Sequence, residues 1–259
     1  MVSTLKTKNQ RRPGQRPPSD ILSRALLAFA LTLAMAPAWA GLFSVTPVRI
    51  YMAPKDRAVA VTINNEGDDE LVMQADIYLW KQKPGGEDDL TLTEDLILSP
   101  PIIKLAARTR QVVRLAMIQP KPSADQQTYR LVVREVPEAK PADQSVQLQI
   151  ALAFSMPVFI TPPGAKRQLV CTAERSSPES ARISCENKGN AYAQPREFSL
   201  TNAAGVKLAS RDSGGYILPS ITRIFDIKRA DGRLPGGNAK LDVMLDDGTT
   251  QSFDVKLAE

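Results

Sequence analysis

Gln144 to Pro163 reads QSVQLQIALAFSMPVFITPP. Val146, Leu148, Ile150, Leu152 and Phe154 take every second position, with Gln147, Gln149, Ala151 and Ala153 between them. Apolar residues at period two mark a strand with one apolar face. A strand of this length belongs inside a sheet. Two coverings are open for its apolar face. It lies over the chain's own core, which suits the residues nearest Pro157, or it fills a groove on another molecule.

The segments before it have the same character. FSVTPVRIYM (43–52), AVAVTINNEG (58–67), LVMQADIYLWKQ (71–82), LTLTEDLILSPPIIKL (90–105), RQVVRLAMI (110–118) and TYRLVVREVP (128–137) alternate and are separated by Pro, Gly, Asn and Asp. With the opening stretch they make roughly seven or eight strands, at the spacing of an immunoglobulin-like β-sandwich. TPPGA, Thr161–Ala165, is a stiff breaker. Beyond it RQLVCTAERS, SARISCENKG, REFSLTNAAG, YILPSITRIFDI, AKLDVMLDDG and QSFDVKLAE predict a second, smaller all-β domain, with no sequence repeat linking the two. Cys171 and Cys185 flank TAERSSPESARIS. A hairpin turning at Pro178 sets them opposite one another, which makes them a disulfide pair in an exported chain; a redox role would favour a CxxC spacing.

Residues 1–40 stand outside this pattern. Lys6, Lys8, Arg11, Arg12, Arg16 and Arg24 precede the apolar ALLAFALTLAMAP, and Ala38–Ala40 reads AWA. This order is a secretory signal cut before Gly41, the alternative being an uncleaved membrane anchor. Six of the 33 basic and one of the 28 acidic residues lie in that leader, so the remainder carries 27 of each. A basic nucleic-acid footprint is therefore absent from the exported part.

Histidine is absent from the whole chain. That removes Ser–His–Asp and Cys–His nucleophiles and every histidine metal site. Two cysteines cannot build a structural zinc site, and neither GxGxxG nor GxxxxGK[ST] occurs. GRLPGG (232–237) reads as a turn and GGEDD (85–89) as a solvated hairpin loop. The expectation is a protein that is not an enzyme, with no metal and no cofactor.

VTPVRIYM (Val45–Met52), SPPIIKLAARTRQVVRL (Ser99–Leu115), TYRLVVREVP (Thr128–Pro137) and VQLQIALAFSMPVFI (Val146–Ile160) follow the order seen in the periplasmic pilus chaperones of the chaperone–usher pathway. The chain resembles that family, and its SMPVFI ending is similar to the archaic, spore-coat-protein-like branch. The resemblance implies an all-β fold of two immunoglobulin-like β-sandwich domains at an angle. It gives residues 41–160 as the chaperone domain, 161–165 as linker and 166–259 as the second sandwich, after the signal peptide 1–40. It implies a periplasmic protein whose partners are pilus subunits and an outer-membrane usher, with no nucleic acid and no small-molecule substrate.

In the family, a pilus subunit is an immunoglobulin-like domain lacking its last strand, and the chaperone lends one. On this resemblance Val146, Leu148, Ile150, Leu152 and Phe154 are the donated side chains. The family's best-known members hold the subunit's terminal carboxylate with an Arg on the first strand and a Lys on the lending strand. Arg49 matches the first, but Pro157 stands at the lysine position and Thr161 where an arginine of an interdomain charge bridge is usual. Glu135 matches that bridge's acidic member. A partly desolvated carboxylate still needs a cation. Arg130, then Arg134, are the replacements, on the strand face opposite Tyr129, Leu131 and Val133. For each arginine the plain alternative is a solvated strand face or a local ion pair. The rival reading of the chain is a structural pilus subunit or surface adhesin. Its start, GLFSVTPVRI, runs straight into the first strand with no extension of its own, which favours the chaperone.

Overall fold

The computed structural model describes residues 43–118, 122–136 and 151–258. The expected leader, and Val146, Leu148 and Ile150, lie outside them. The first sandwich contains β1 (Phe43–Thr46), β2 (Ile50–Met52), β3 (Ala58–Asn65), β4 (Leu71–Gln82), β5 (Asp88–Leu92), β6 (Leu96–Ser99), β7 (Ile102–Leu105), β8 (Arg110–Met117), β9 (Gln127–Glu135) and β10 (Ala153–Ile160). One sheet has the order β1-β3-β8-β6. The other runs β2-β10-β9-β4-β5, with β7 also on β4.

Two segments expected as single strands are divided. FSVTPVRIYM crosses from one sheet to the other at Pro47, and LTLTEDLILSPPIIKL is shared among β5, β6 and β7, leaving the β4 sheet after Leu92 and returning to it at Pro100 and Pro101. Proline has no N–H to continue a ladder, so these residues sit where one ladder ends and the next begins. Both proline crossings run through a cis X–Pro bond.

The second sandwich contains β11 (Leu169–Arg175), β12 (Ser180–Asn187), β13 (Pro195–Asn202), β14 (Lys207–Asp212), β15 (Thr222–Lys228), β16 (Gly237–Leu245) and β17 (Thr250–Leu257). Its sheets are β11-β12-β15 and β14-β13-β16-β17. β14, KLASRD, was not expected as a strand. It pairs with β13 across a register shift, and its two buried residues, Leu208 and Ala209, are adjacent rather than alternate. YILPS, expected as part of a strand, is a loop preceding β15.

Parity places the side chains. Tyr129, Leu131 and Val133 on β9 point into the first core, as do Met156, Val158 and Ile160 on β10. Each full burial of such a chain stabilises by about 1.5–3 kcal/mol. Cys171 lies directly across from Cys185 in the β11–β12 hairpin, and the two form a disulfide. Closing a loop of this size is worth about 3 kcal/mol in the chain-entropy account.

The domains share a short device that the absence of a long repeat concealed. Asn65-Glu66-Gly67 ends β3 and Asn187-Lys188-Gly189 ends β12. In each, the buried Asn Oδ1 accepts the N–H of the glycine two residues on, at 3.0 and 3.1 Å. In each, Nδ2 donates to the carbonyl four residues on, Asp69 and Ala191. Nδ2 also reaches across the sandwich, to Leu105 and Ala106 in the first domain and to Ile217 in the second. Replacing either asparagine by alanine strands several buried backbone groups. Asn65→Ala and Asn187→Ala should each destabilise by about 2–3 kcal/mol in urea unfolding; wild-type stability in either variant would contradict that role.

Candidate functional site between the two sandwiches

Phe159 lies on the reverse face of β10 from Met156, Val158 and Ile160, and it is fully buried. It packs in a third apolar cluster with Trp80 at the end of β4 and Leu218 from the loop before β15. Tyr192 stacks on Phe159 with centroids 4.2 Å apart, and Tyr216 meets Trp80 edge-on at 5.2 Å. The cluster draws on both sandwiches. Gln82 joins them through polar bonds: its Nε2 donates to the Tyr216 carbonyl at 3.1 Å, and its Oε1 accepts from Leu218 N–H at 3.0 Å.

Arg49 lies just before β2 on the rim of this cluster. Its Nη1 donates to Asp246 Oδ2 at 2.6 Å and to the hydroxyls of Tyr51 and Tyr192, each at 3.1 Å. Its Nη2 donates to Gln194 Oε1 at 2.7 Å. Burial works against its charge, but Tyr51, Tyr192 and Tyr216 hold its pKa above the ordinary arginine value. The Tyr192 hydroxyl, pushed up by burial, stays protonated and donates to Asp246 at 3.0 Å.

Arg130 is placed differently. It lies opposite Pro157 in the β9–β10 register, so the strand position where the family has its lysine has a cation beside it. Its guanidinium lies 3.8 Å over the Trp80 ring and 5.6 Å over Tyr216. Among the described residues its acidic partner is Asp88, at a long 3.5 Å. Desolvation therefore dominates and lowers its pKa, against the opposing pull of Asp88. Rather than lying on a solvated strand face, the side chain is 14% exposed.

The structure thus brings Arg49 and Arg130 together around Tyr216, whose ring centre is 5.4 and 5.6 Å from the two guanidiniums. Arg134 instead pairs with Asp76 at 2.8 Å and donates to the Tyr78 hydroxyl. Of the five residues expected to be lent, Leu152 packs partly on the first core and Phe154 is 37% exposed, its ring 4.8 Å from Phe43.

The contacts between domains differ from the expected pattern. Thr161 accepts a hydrogen bond from Gln126 Nε2 at 2.7 Å. Glu135 Oε2 accepts from the Leu152 N–H. Among the described residues, the charge bridge between sandwiches is Arg49–Asp246, with Arg167 also bonded to Asp246 and to Asp247. GGEDD is not a free hairpin loop: Gly85 bridges to Arg223 of the second domain. A Cβ on Gly86 would lie 2.2 Å from Arg223 Cγ, so only glycine permits the approach. Trp80, Phe159, Tyr192, Tyr216 and Asp246 were not singled out from the sequence. Phe159 did leave a signal, as an apolar residue on the wrong parity of an alternating strand.

Asp246 serves two arginines while its own side chain is 9% exposed. Asp246→Ala should cost about 2–3 kcal/mol in thermal unfolding, below the range for a fully buried pair because Arg49 is 27% exposed. An unchanged melting curve would mean the pair contributes nothing.

Residues 42–166 match the family model described as pili and flagellar-assembly chaperone, PapD N-terminal domain. A search of curated proteins finds no significant sequence match. Among solved structures the chain is similar to one from the CsuC–CsuE complex of chaperone and tip adhesion subunit, from the archaic chaperone–usher Csu pili of Acinetobacter baumannii. The TM-score is 0.61 at 20% identity, over 85% of this chain and 100% of that one. It is similar to the E. coli chaperone DraB, with TM-score 0.55 and 19% identity over 83% and 96% of the two chains. It is also similar to a chain from the Salmonella enterica complex of SafA pilin with the SafB chaperone, with TM-score 0.53 and 14% identity over 82% and 94%. At these identities the likeness establishes the fold.

Proposed function

The chain belongs to the pilus-assembly chaperones of the chaperone–usher pathway, and on that premise we propose that it binds pilus subunits, lends them a strand and passes them to an outer-membrane usher. It acts stoichiometrically and without catalysis or cofactor. Residues 1–40 export it to the periplasm, 41–160 form the lending domain, 161–165 the linker and 166–259 the second sandwich. The archaic branch is favoured by the SMPVFI ending and by the Csu likeness.

One observation carries this reading: β10 changes environment along a single face. Met156, Val158 and Ile160 close the chain's own core, while Phe154 on the same face is exposed. β2 pairs with β10 only from Val158 to Ile160, so upstream of Val158 the edge away from β9 is unpaired among the described residues. An open edge and an apolar face together are what an incomplete sandwich requires. Val146, Leu148, Ile150, Leu152 and Phe154 are assigned as the lent side chains, with gross burial of about 1.5–3 kcal/mol each, offset by ordering and association costs. Arg49, Arg130 and, less directly, Arg134 are assigned to the subunit's carboxylate.

The test is Ile150→Asp, with Gln149→Asp as the opposite-face control, in cells that also express a pilus subunit from the same organism. Ile150→Asp should melt as the unmodified protein does yet retain no subunit, because the complex would bury an unpaired carboxylate. Gln149→Asp should retain most of it. An unfolded Ile150→Asp protein would place that residue in the chain's own core and overturn the lending assignment. Export is checked separately: periplasmic protein should begin at Gly41, and material retaining Met1 would contradict the leader.

A further inference from the structure

We infer that Tyr216, a residue of the second domain, is the positioning residue that holds Arg130 ready for the subunit's carboxylate, so that the anchor exists only when the two domains are docked. This rests on the chaperone reading above and names a component of its binding site.

Tyr216 lies over both arginines, 5.4 Å from Arg49 and 5.6 Å from Arg130, and the two differ in their remaining partners. Arg49 is held in the plane of its guanidinium, with Asp246, Gln194, Tyr51 and Tyr192 taking its donors. A carboxylate arriving there must displace partners already in place. Arg130 is held against two aromatic rings that stand at 89° to one another. Trp80 lies 3.8 Å from the guanidinium carbon and Tyr216 5.6 Å. An aromatic face attracts a cation through its quadrupole and consumes no N–H. Among the described residues the guanidinium's hydrogen bond is the one from Nη2 to Asp88, which leaves donors for a carboxylate, and arginine can meet a carboxylate with two of them where lysine cannot. The long 3.5 Å contact with Asp88 is a weak competitor.

Trp80 belongs to the lending domain and would be present whatever the second domain did. Tyr216 is brought by the loop between β14 and β15, and that loop is fixed in place. Arg223 Nη1 donates to the Tyr216 carbonyl at 2.9 Å, and Gln82 donates to the same oxygen from the first domain. Ile217 exchanges backbone hydrogen bonds with Ala193 at 2.7 and 2.9 Å. Gly215, at φ 68°, turns the chain immediately before the ring; a Cβ there would lie 2.8 Å from Arg223 Nη1. The ring then lies against both guanidiniums, and its hydroxyl is held protonated by burial.

The probe is a peptide carrying the C-terminal strand of a pilus subunit, made with a free carboxylate and as the C-terminal amide. Calorimetric titration gives the ratio of the two affinities, which isolates the carboxylate from the rest of the groove. The unmodified protein should prefer the free acid by about tenfold or more, as expected for hydrogen bonds to a charged group. Arg130→Ala should bring that ratio close to one. Tyr216→Ala and Tyr216→Leu should do the same, Leu keeping an apolar side chain in the interface without a π face. Tyr216→Phe should restore the preference. A merely structural Tyr216 would lower both affinities together and leave the ratio intact. Retention of the preference in Tyr216→Leu, with its loss in Arg130→Ala, would overturn this inference alone. Equal binding of acid and amide by the unmodified protein would overturn the carboxylate anchor itself and this inference with it.

Discussion

Phe159 makes β10 a two-faced strand, and the rest of the structure follows from that. Even-numbered residues from Met156 to Ile160 belong to the first core, and odd-numbered Phe159 belongs to the cluster between domains. A strand has only two faces, so over these residues β10 has none left for anything else. Upstream of Met156 that demand weakens: Phe154 is exposed, with its ring against Phe43, and Leu152 packs only partly on the core. The strand that anchors one domain to the other is continuous with the strand proposed for lending. A lent strand must be held firmly at one end to keep its register, and Phe159, closed in by Trp80, Tyr192 and Tyr216, supplies that grip.

The polar groups around this cluster follow the accounting expected where water is partly excluded. Asp246 would be costly to desolvate alone, and it carries Arg49, Arg167 and the Tyr192 hydroxyl. Gln82, among the buried polar residues, has both ends of its amide engaged across the domain boundary. Arg130 departs from this pattern. It is more enclosed than Arg49 and lies against Trp80 and Tyr216, whereas Arg49 has close oxygen acceptors as well as its aromatic neighbours. A partly buried cation without a close counter-ion is unfavourable in isolation, and such a group in a cleft marks a candidate functional site.

The all-β class, the two sandwiches and the Cys171–Cys185 hairpin were legible because each rests on local alternation and turn chemistry, which a single sequence displays directly. β14 was not legible, since Leu208 and Ala209 are buried side by side and the register shift beside them breaks the period. Arg49 and Arg130 could be named from position and type. Their contrasting environments could not, because Asp246, Tyr192 and Tyr216 are distant in sequence and meet the arginines only through docking of the second domain. GGEDD misled for a related reason: two glycines read as solvent-facing flexibility, whereas the missing Cβ of Gly86 is what admits Arg223. The Asn-x-Gly device escaped as well, because three residues are too few to register as a repeat.

Pro157 draws these strands of argument together. Proline contributes no N–H to either edge of β10 and is normally kept out of central strands. Here it stands immediately before Val158, where β2 begins to pair. It thus occupies the junction between the part of β10 closed on both edges and the part left open, where a donor would be of least use. Its ring cannot supply a charge, and the residue facing it on β9 is Arg130. A lysine at this position would carry its charge on a flexible, strongly hydrated stem. Moving the cation one strand over, onto the face of Trp80, exchanges that mobility for a fixed plane, because a guanidinium stacked on an indole has its donors already oriented. Less rotamer freedom then remains to be lost when a carboxylate arrives. The replacement of a lysine by a proline is therefore compatible with an anchor that is more ordered before binding, provided the second domain is in place to complete it.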